Sequence, residues 1–455
     1  MAIDRRRFIS VPAAVGALSA TGTFIPGASA APLSVLGVDA IRFGVRAGTS
    51  DDQSLALQNA IDQAAGARVP LVLGPGAYLA GDLRLPEGAQ IVGVRGATRL
   101  IHVGGDSLIS AHRADNIALT GIVIDGGRRA LPAGRGLVHF SHCRGMRITD
   151  CEIANSGQHG IALEAVEGEV TGSRIAGAAN AGIFSLDAIG LVIARNTVRE
   201  VGNNGVQVWR TKPGDDGTLI IDNRIEEVSA LAGGSGQNGN GVNVYRAANV
   251  MVKSNRIRGC AFSAVRGNSA SNLQVIGNNC TALGEVAIYA EFAFEGAVIA
   301  NNVVDGAAIG VAVTNFKQGG RFAVVQGNVI RNLVAKRPAG ADPSDPAGIG
   351  IGVEADTAVS GNVIENAPSA GIAVGFGQYL RDVSVTGNIV RESAVGIAVS
   401  VVPGAGGALI ADNLIAGAER GAIVGMEFKR PVTGDLSKDG AGRFAQLAIS
   451  GNRVR

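Results

Sequence analysis

Gly241-Val242-Asn243-Val244-Tyr245 is followed shortly by Val252-Lys253-Ser254-Asn255-Arg256-Ile257, and the pair returns as Ala264-Val265-Arg266-Gly267-Asn268 and Val275-Ile276-Gly277-Asn278-Asn279-Cys280. Apolar residues alternate at a period of two in both phrases, so each reads as a short strand with one buried face. The second phrase places Asn at 196, 223, 255, 278, 301, 328, 362, 388, 413 and 452, in steps of 23 to 39 residues. Cys151 and Ser173 stand in the Asn slot of earlier copies. The commonest spacing is too short for a propeller blade, and the unit lacks the helix of an ankyrin or tetratricopeptide repeat. It predicts an all-β chain of about twelve coils, a parallel β-helix near 58 Å long at ~4.8 Å per coil. Stacked Asn side chains then bond to one another and to backbone, which accounts for one polar residue recurring among apolar ones.

The composition agrees. Of 455 residues 67 are Gly, without a three-residue period, and 46% are apolar, which excludes collagen and disorder alike. A formal charge of +2 gives no electrostatic case for nucleic acid or an anionic membrane. Cys143, Cys151, Cys260 and Cys280 show neither CxxC nor zinc-finger spacing. No metal centre is expected from them, and buried thiols are expected rather than bridges.

The first thirty residues read as an address. Asp4-Arg5-Arg6-Arg7-Phe8-Ile9-Ser10 precedes a short apolar run and then Ala28-Ser29-Ala30. This resembles a twin-arginine export signal, with Arg5 and Arg6 as the pair, Phe8 following, and cleavage after Ala30. The resemblance implies the twin-arginine machinery as a partner and a periplasmic or secreted protein, with no membrane association once the leader is gone. Three of the 40 basic and one of the 38 acidic residues precede Ala31, leaving 37 of each. Any affinity for an acidic partner must then be local.

Residues 31–110 are expected to form a cap and the first coils, continuous with the repeats of 111–455. Thr49 and Ser50 offer N-caps, Asp51 and Asp52 suit a helix dipole, and Leu55, Ile61, Ala64 and Ala65 form a stripe. A short helix there would cover the edge of the first coil. Phe43-Gly44, Asp51-Asp52, Leu57-Gln58, Ala60-Ile61, Pro70, Pro75-Gly76 and Tyr78 resemble the N-terminus of the pectate-lyase-like right-handed parallel β-helix superfamily. With the leader and the repeats, the whole chain resembles the twin-arginine-translocated repeat proteins of that superfamily.

Aligning the first phrase on its Gly or Ala puts Leu137, Ile161, Ile183, Val206, Val242, Val265 and Ile288 inside. The outward positions then read Gln207 and Trp209, Asn243 and Tyr245, Arg266 and Asn268, Tyr289 and Glu291, with Arg210 and Arg246 at strand ends. Farther along they are Ala373 with Gly375 and Ala398 with Ser400, which marks the middle coils as the groove. Aromatic faces stack on sugar rings, amides bond hydroxyls, and Arg forks match uronate carboxylates. The insertions at 211–218, 226–240 and 333–348 would wall such a groove.

The expected function is binding of an acidic polysaccharide, with lyase or epimerase chemistry if there is turnover. Arg210, Arg246 and Arg266 would neutralise a uronate while Tyr289 or Tyr245 exchanges the α proton. The alternative is a non-catalytic envelope scaffold or glycan-binding repeat protein. Where the resemblance to β-helix polygalacturonases would place catalytic Asp, this chain has His159, Ala181, Asn204, Asn240 and Ser263. The hydrolase reading therefore lacks its acids. His139 is read as inward, with His142 and His159 at strand ends. No cofactor is evident; Asp215-Asp216 is a candidate calcium turn.

Overall fold

The computed structural model describes residues 37–234, 236–342 and 345–455. The expected leader, with Arg5, Arg6, Phe8, Ala28 and Ala30, lies outside the described residues.

The alternating phrases become strands that climb one coil at a time. In one coil Leu219–Ile221 lies on the first face, Arg224–Val228 on the second and Asn240–Ala248 on the third. Sixteen strands stack in the first sheet, and a 28-stranded sheet wraps the other two faces. Long strands such as Val363–Val374 and Ile389–Ser400 run around the corner between those two. The first sheet has more rungs than the Asn repeat counts, because the N-terminal ones lack the Asn. At ~4.8 Å per rung the rod is roughly 70 Å long. Among the described residues the named strands pair in parallel, except in the hairpin Ile423–Glu427 with Arg430–Asp435 near the C-terminus, and one isolated bridge, Phe376 to Tyr379, is antiparallel. One continuous core fills the tube, with Ile161, Ile183, Val206, Val242, Val265 and Ile288 fully buried along one row.

The recurring Asn forms a buried ladder at the corner between the first and second faces. Asn255 donates its backbone N–H and its Nδ2 to Asn278 Oδ1 at 2.9 and 3.0 Å, and Nδ2 also reaches the Ile220 carbonyl at 2.8 Å. Each rung thus satisfies the one before it, which is how a polar residue survives at full burial. Cys151 and Ser173 do occupy early slots, since Ser173 N donates to Asn196 and Cys151 N to Ser173 Oγ. One assignment shifts: the rung after Asn278 is Asn302, whose Oδ1 accepts from Asn278 N at 2.9 Å, whereas Asn301 is exposed. Asn301 instead holds the left-handed turn before the ladder, at φ 58°, like Ser254, Gly277 and Gly327 in neighbouring coils.

The cap helix spans Ser54–Gly66 and buries Leu57, Ala60, Ile61 and Ala64 against the first coils. The expected stripe is corrected at Leu55, which is 89% exposed. Neither Thr49 nor Ser50 is the N-cap; that residue is Gln53, while Asp52 Oδ1 accepts from the Ser54 N–H at 2.9 Å. All four cysteines are buried free thiols, and burial pushes Cys151 up to about 11 and Cys280 up to about 12.

Candidate functional site

Strand register brings the expected residues together on the third face. One outward row runs His139, Ala162, Phe184, Gln207, Asn243, Arg266 and Tyr289. The next runs Ser141, Glu164, Leu186, Trp209, Tyr245, Asn268 and Glu291. His139 is therefore outward, not inward. Val138, not Leu137, is the partner of Ile161, so alignment on the Gly slips by one residue in that coil.

An aromatic stripe climbs these rows. The His159 ring stacks on Phe184 at 4.7 Å, Phe184 meets Trp209 edge-on at 5.8 Å, and Trp209 meets Tyr245 edge-on at 5.8 Å. Trp209 Nε1 donates to Asn243 Oδ1 at 2.8 Å, which fixes the indole plane. Beyond the aromatic residues, Arg246 lies 4.7 Å over the Tyr245 ring and bonds the Thr211 carbonyl at 3.2 Å. Arg210 reaches the Ala188 carbonyl at 3.3 Å and stands 3.8 Å from Asp216. Asp216 is buried and takes the Thr218 hydroxyl, while Asp215 accepts from Asn249 Nδ2 at 2.7 Å. The two acids of the candidate calcium turn thus face different partners. Phe184, the outward residue after Ile183, carries the stripe one coil beyond the expected residues, and His159, expected only at a strand end, carries it one further.

Arg266 is placed differently. Its Nε and Nη2 grip both oxygens of Glu291 at 2.7 and 3.0 Å, and its Nη1 donates to Glu285 at 3.1 Å. Glu285 also accepts from Arg337 at 2.8 Å, so Arg337 is tied down over the sheet. Burial works against the Arg266 charge, and the Glu291 and Glu285 carboxylates more than offset it, holding its pKa above the usual Arg range. Burial and then Glu291 push Tyr289 up to about 12, and Arg266 sits 5.0 Å from its ring. Asn268 donates to Glu291 Oε1 at 3.2 Å. Of the expected site residues, Arg266, Asn268, Tyr289 and Glu291 form an internal cluster with Glu285 and Arg337, whereas Gln207, Trp209, Asn243, Tyr245, Arg210 and Arg246 belong to the stripe and its edge.

Asn204 and Asn240, which stand where the hydrolases have acids, are buried: Asn240 donates to Asn204 Oδ1 through its N–H and Nδ2 at 3.0 and 3.1 Å. The ring nitrogens of His139 and His159 are kept neutral. Burial first, then Arg135 for His139 and His139 for His159, brings both down to about 4.

Among known families, residues 212–390 match the model described as the right handed beta helix region, and residues 58–235 match that of the periplasmic copper-binding protein (NosD). No curated protein matches the sequence significantly. Among solved structures, the pre-mature bacteriophage phi29 gene product 12 superposes with a TM-score of 0.52 at 15% identity over 87% of this chain. This chain spans 56% of that protein's length. The catalytic unit of an α-1,3-glucanase from Streptomyces thermodiastaticus gives 0.51 at 14% identity, covering 94% of this chain and 70% of the glucanase. The Dettilon tailspike protein gives 0.50 at 16%, covering 85% and 68%. These likenesses establish the fold. The copper named for one family finds no matching donor set: His112 and His142 meet edge-on at 5.6 Å, but no group of three His, Cys, Asp or Glu that could hold a metal occurs among the described residues. Among the described residues no helix is long and apolar enough to cross a membrane.

Proposed function

We propose that this chain, whose fold is the right-handed parallel β-helix, is an exported protein which binds an acidic polysaccharide along its third face. The stripe from Phe184 through Trp209 to Tyr245, edged by Arg210 and Arg246, carries this reading. Rings in successive coils offer stacking surfaces to successive sugars, and the indole is pre-set by Asn243, so little order is lost on binding. The guanidiniums at the edge match carboxylates in a chain whose mature net charge is zero. The match of residues 58–235 to a periplasmic family supports export, and the fold shared with an α-1,3-glucanase supports a glycan partner.

One observation favours binding without turnover. A lyase or epimerase needs a phenolate or another free base and an uncommitted cation, yet Tyr289 is held protonated and Arg266 is committed to Glu291 and Glu285. Turnover would then fall to Tyr245 with Arg210 or Arg246. The test offers the protein pectate, alginate and a neutral glucan, with and without calcium, and follows binding, unsaturated products and uronate epimer content. Binding of the acidic polymers that is weakened in Trp209→Ala and in Arg246→Ala is expected. If neither substitution alters any glycan interaction, the groove lies elsewhere; unsaturated or epimerised product would make the protein an enzyme.

A further inference from the structure

The third face carries a second hollow, separated from the stripe by the Arg266–Glu285–Arg337 cluster. Past Tyr289 the outward row continues as Ala312, Gly352, Ala373 and Ala398. Beside it run Val286, Ile309, Ile349, Ala370 and Val395. Small side chains in the first row lower the floor, and the second row makes it apolar. Val286, Ile309 and Ala312, and farther along Ala370, Val395 and Ala398, form two small apolar clusters outside the tube core.

Above this floor is a cavity of about 770 Å³, inside the roughly 300–1,000 Å³ range of small-ligand sites. A Cβ built on Gly352 would meet nothing within 4 Å, so the floor is open there. Along the rod the hollow is bounded at both sides. Toward the N-terminus stands Arg337, pinned by Glu285 at 2.8 Å and by the Pro346 carbonyl at 2.9 Å. Toward the C-terminus stands the antiparallel hairpin, which contributes Met426, Phe428 and Pro431. Phe428 meets Phe376 edge-on at 5.2 Å at this side. Polar groups in the lining include Glu354, Arg420 and Lys429. Glu354 accepts the Phe316 N–H at 2.7 Å, and burial raises its pKa.

We infer that this cavity binds the end of an acidic glycan chain, a few sugar units long. The apolar sugar face lies on the Ala312–Ala398 floor, hydroxyls bond Glu354, and a carboxylate meets Arg420 and Lys429. A polymer running along the rod cannot pass the pinned loop and the hairpin, so the site reads a terminus, whereas the stripe reads the middle of a chain. The inference rests on the proposed function for the ligand's being an acidic glycan; the cavity and its boundaries do not depend on it.

Binding of trigalacturonate and trimannuronate to the full chain, beside pectate and alginate, tests it. Gly352→Leu fills the floor at a position with no backbone strain, and Ala398→Leu fills it from the next rows. Either variant should weaken a trimer at least about tenfold while changing polymer affinity less than about twofold, and Trp209→Ala should do the reverse. Arg420→Gln with Lys429→Gln should flatten the salt dependence of trimer binding. Trimer affinity unchanged in both filled variants, with melting temperatures matching the parent, overturns the inference. Polymer binding without any trimer binding also overturns it and leaves the stripe reading standing. Trimer binding that is sensitive to Gly352→Leu, without polymer binding, upholds the cavity and removes the stripe.

Discussion

Arg266 and Glu291, in adjacent coils, meet as a two-pronged pair, Nε to Oε1 at 2.7 Å and Nη2 to Oε2 at 3.0 Å, with the carboxylate side chain 2% exposed. Such a pair contributes little net stability when intact, because desolvation offsets attraction, but removing one partner strands a buried charge. Glu291→Ala should therefore destabilise the protein by about 3–5 kcal/mol. Arg266→Met with Glu291→Leu should cost less, since both charges leave together and Glu285 keeps Arg337. Urea unfolding midpoints decide; a Glu291→Ala protein as stable as the parent would show that the pair is not carrying this role.

The Asn ladder makes a sharper prediction. Asn278→Ala removes the acceptor of both the backbone N–H and the Nδ2 of buried Asn255, at about 1–3 kcal/mol for each orphaned donor. Asn302→Ala does the same to Asn278. Asn301→Gly, at a left-handed turn position, should be neutral within about 0.5 kcal/mol. Thermal melts of the three variants separate the ladder residue from its neighbour.

That pair shows what the sequence made legible. The recurrence of Asn between apolar positions exposed the coil, because only a stacked, buried amide explains it. In Val298-Ile299-Ala300-Asn301-Asn302-Val303 either Asn fits the spacing. The deciding rule is conformational: the residue before each rung takes positive φ, as Asp222, Ser254 and Gly277 do, and Asn tolerates that as well as Gly. His139 slipped for a related reason, since Gly136-Leu137-Val138 is apolar at both parities. The stripe was legible because large residues cluster in adjacent coils. The cavity was not, because its signal is the smallness of Ala312, Gly352, Ala373 and Ala398, which in sequence looks like plain surface. Its walls come from Ala335, Arg337 and Pro346 and from a hairpin that no repeat announces.

Acid should weaken the fold in two separate windows. A free imidazole titrates near 6.5, while His139 and His159 are brought down to about 4 in the folded chain. The unfolded chain takes up protons between these values that the native one refuses, so stability present above about pH 6.5 falls as pH drops toward 4. Asp305 and Asp356, held below the usual carboxylate range chiefly by bonds from Asn332 and from Arg381, lose their contribution only at lower pH. His102, lowered in the same direction by burial, keeps a share of the upper window, so His139→Gln with His159→Gln should shrink the fall in melting temperature between pH 6.5 and 4 and leave the lower fall in place. An unchanged slope in the upper window would assign the acid sensitivity to other groups.

The leader assignment is tested in cells. Arg5→Lys with Arg6→Lys keeps the charge but removes the pair on which the proposed twin-arginine signal rests, so the protein should accumulate in the cytoplasm with its leader uncleaved. Fractionation followed by mass measurement of the N-terminus decides it, and normal export of the double variant would remove the assignment.

Because Trp209 is the single Trp of the chain, the stripe contains its own optical reporter. The indole is half-buried, its Nε1 is committed to Asn243, and its ring edge is shared with Phe184 and Tyr245. A sugar stacked there replaces water at the ring and should shift emission to shorter wavelength, saturating with the acidic polymer and reversing with salt as the Arg210 and Arg246 contacts are screened. Arg246→Ala should weaken the titration while keeping the end-point spectrum, because it removes an anchor and not the reporter. Gly352→Leu should leave the polymer titration in place, since its cavity lies beyond the Arg266–Glu285–Arg337 cluster. Polymer binding measured by another method with no change in Trp209 emission would take the polysaccharide off the stripe.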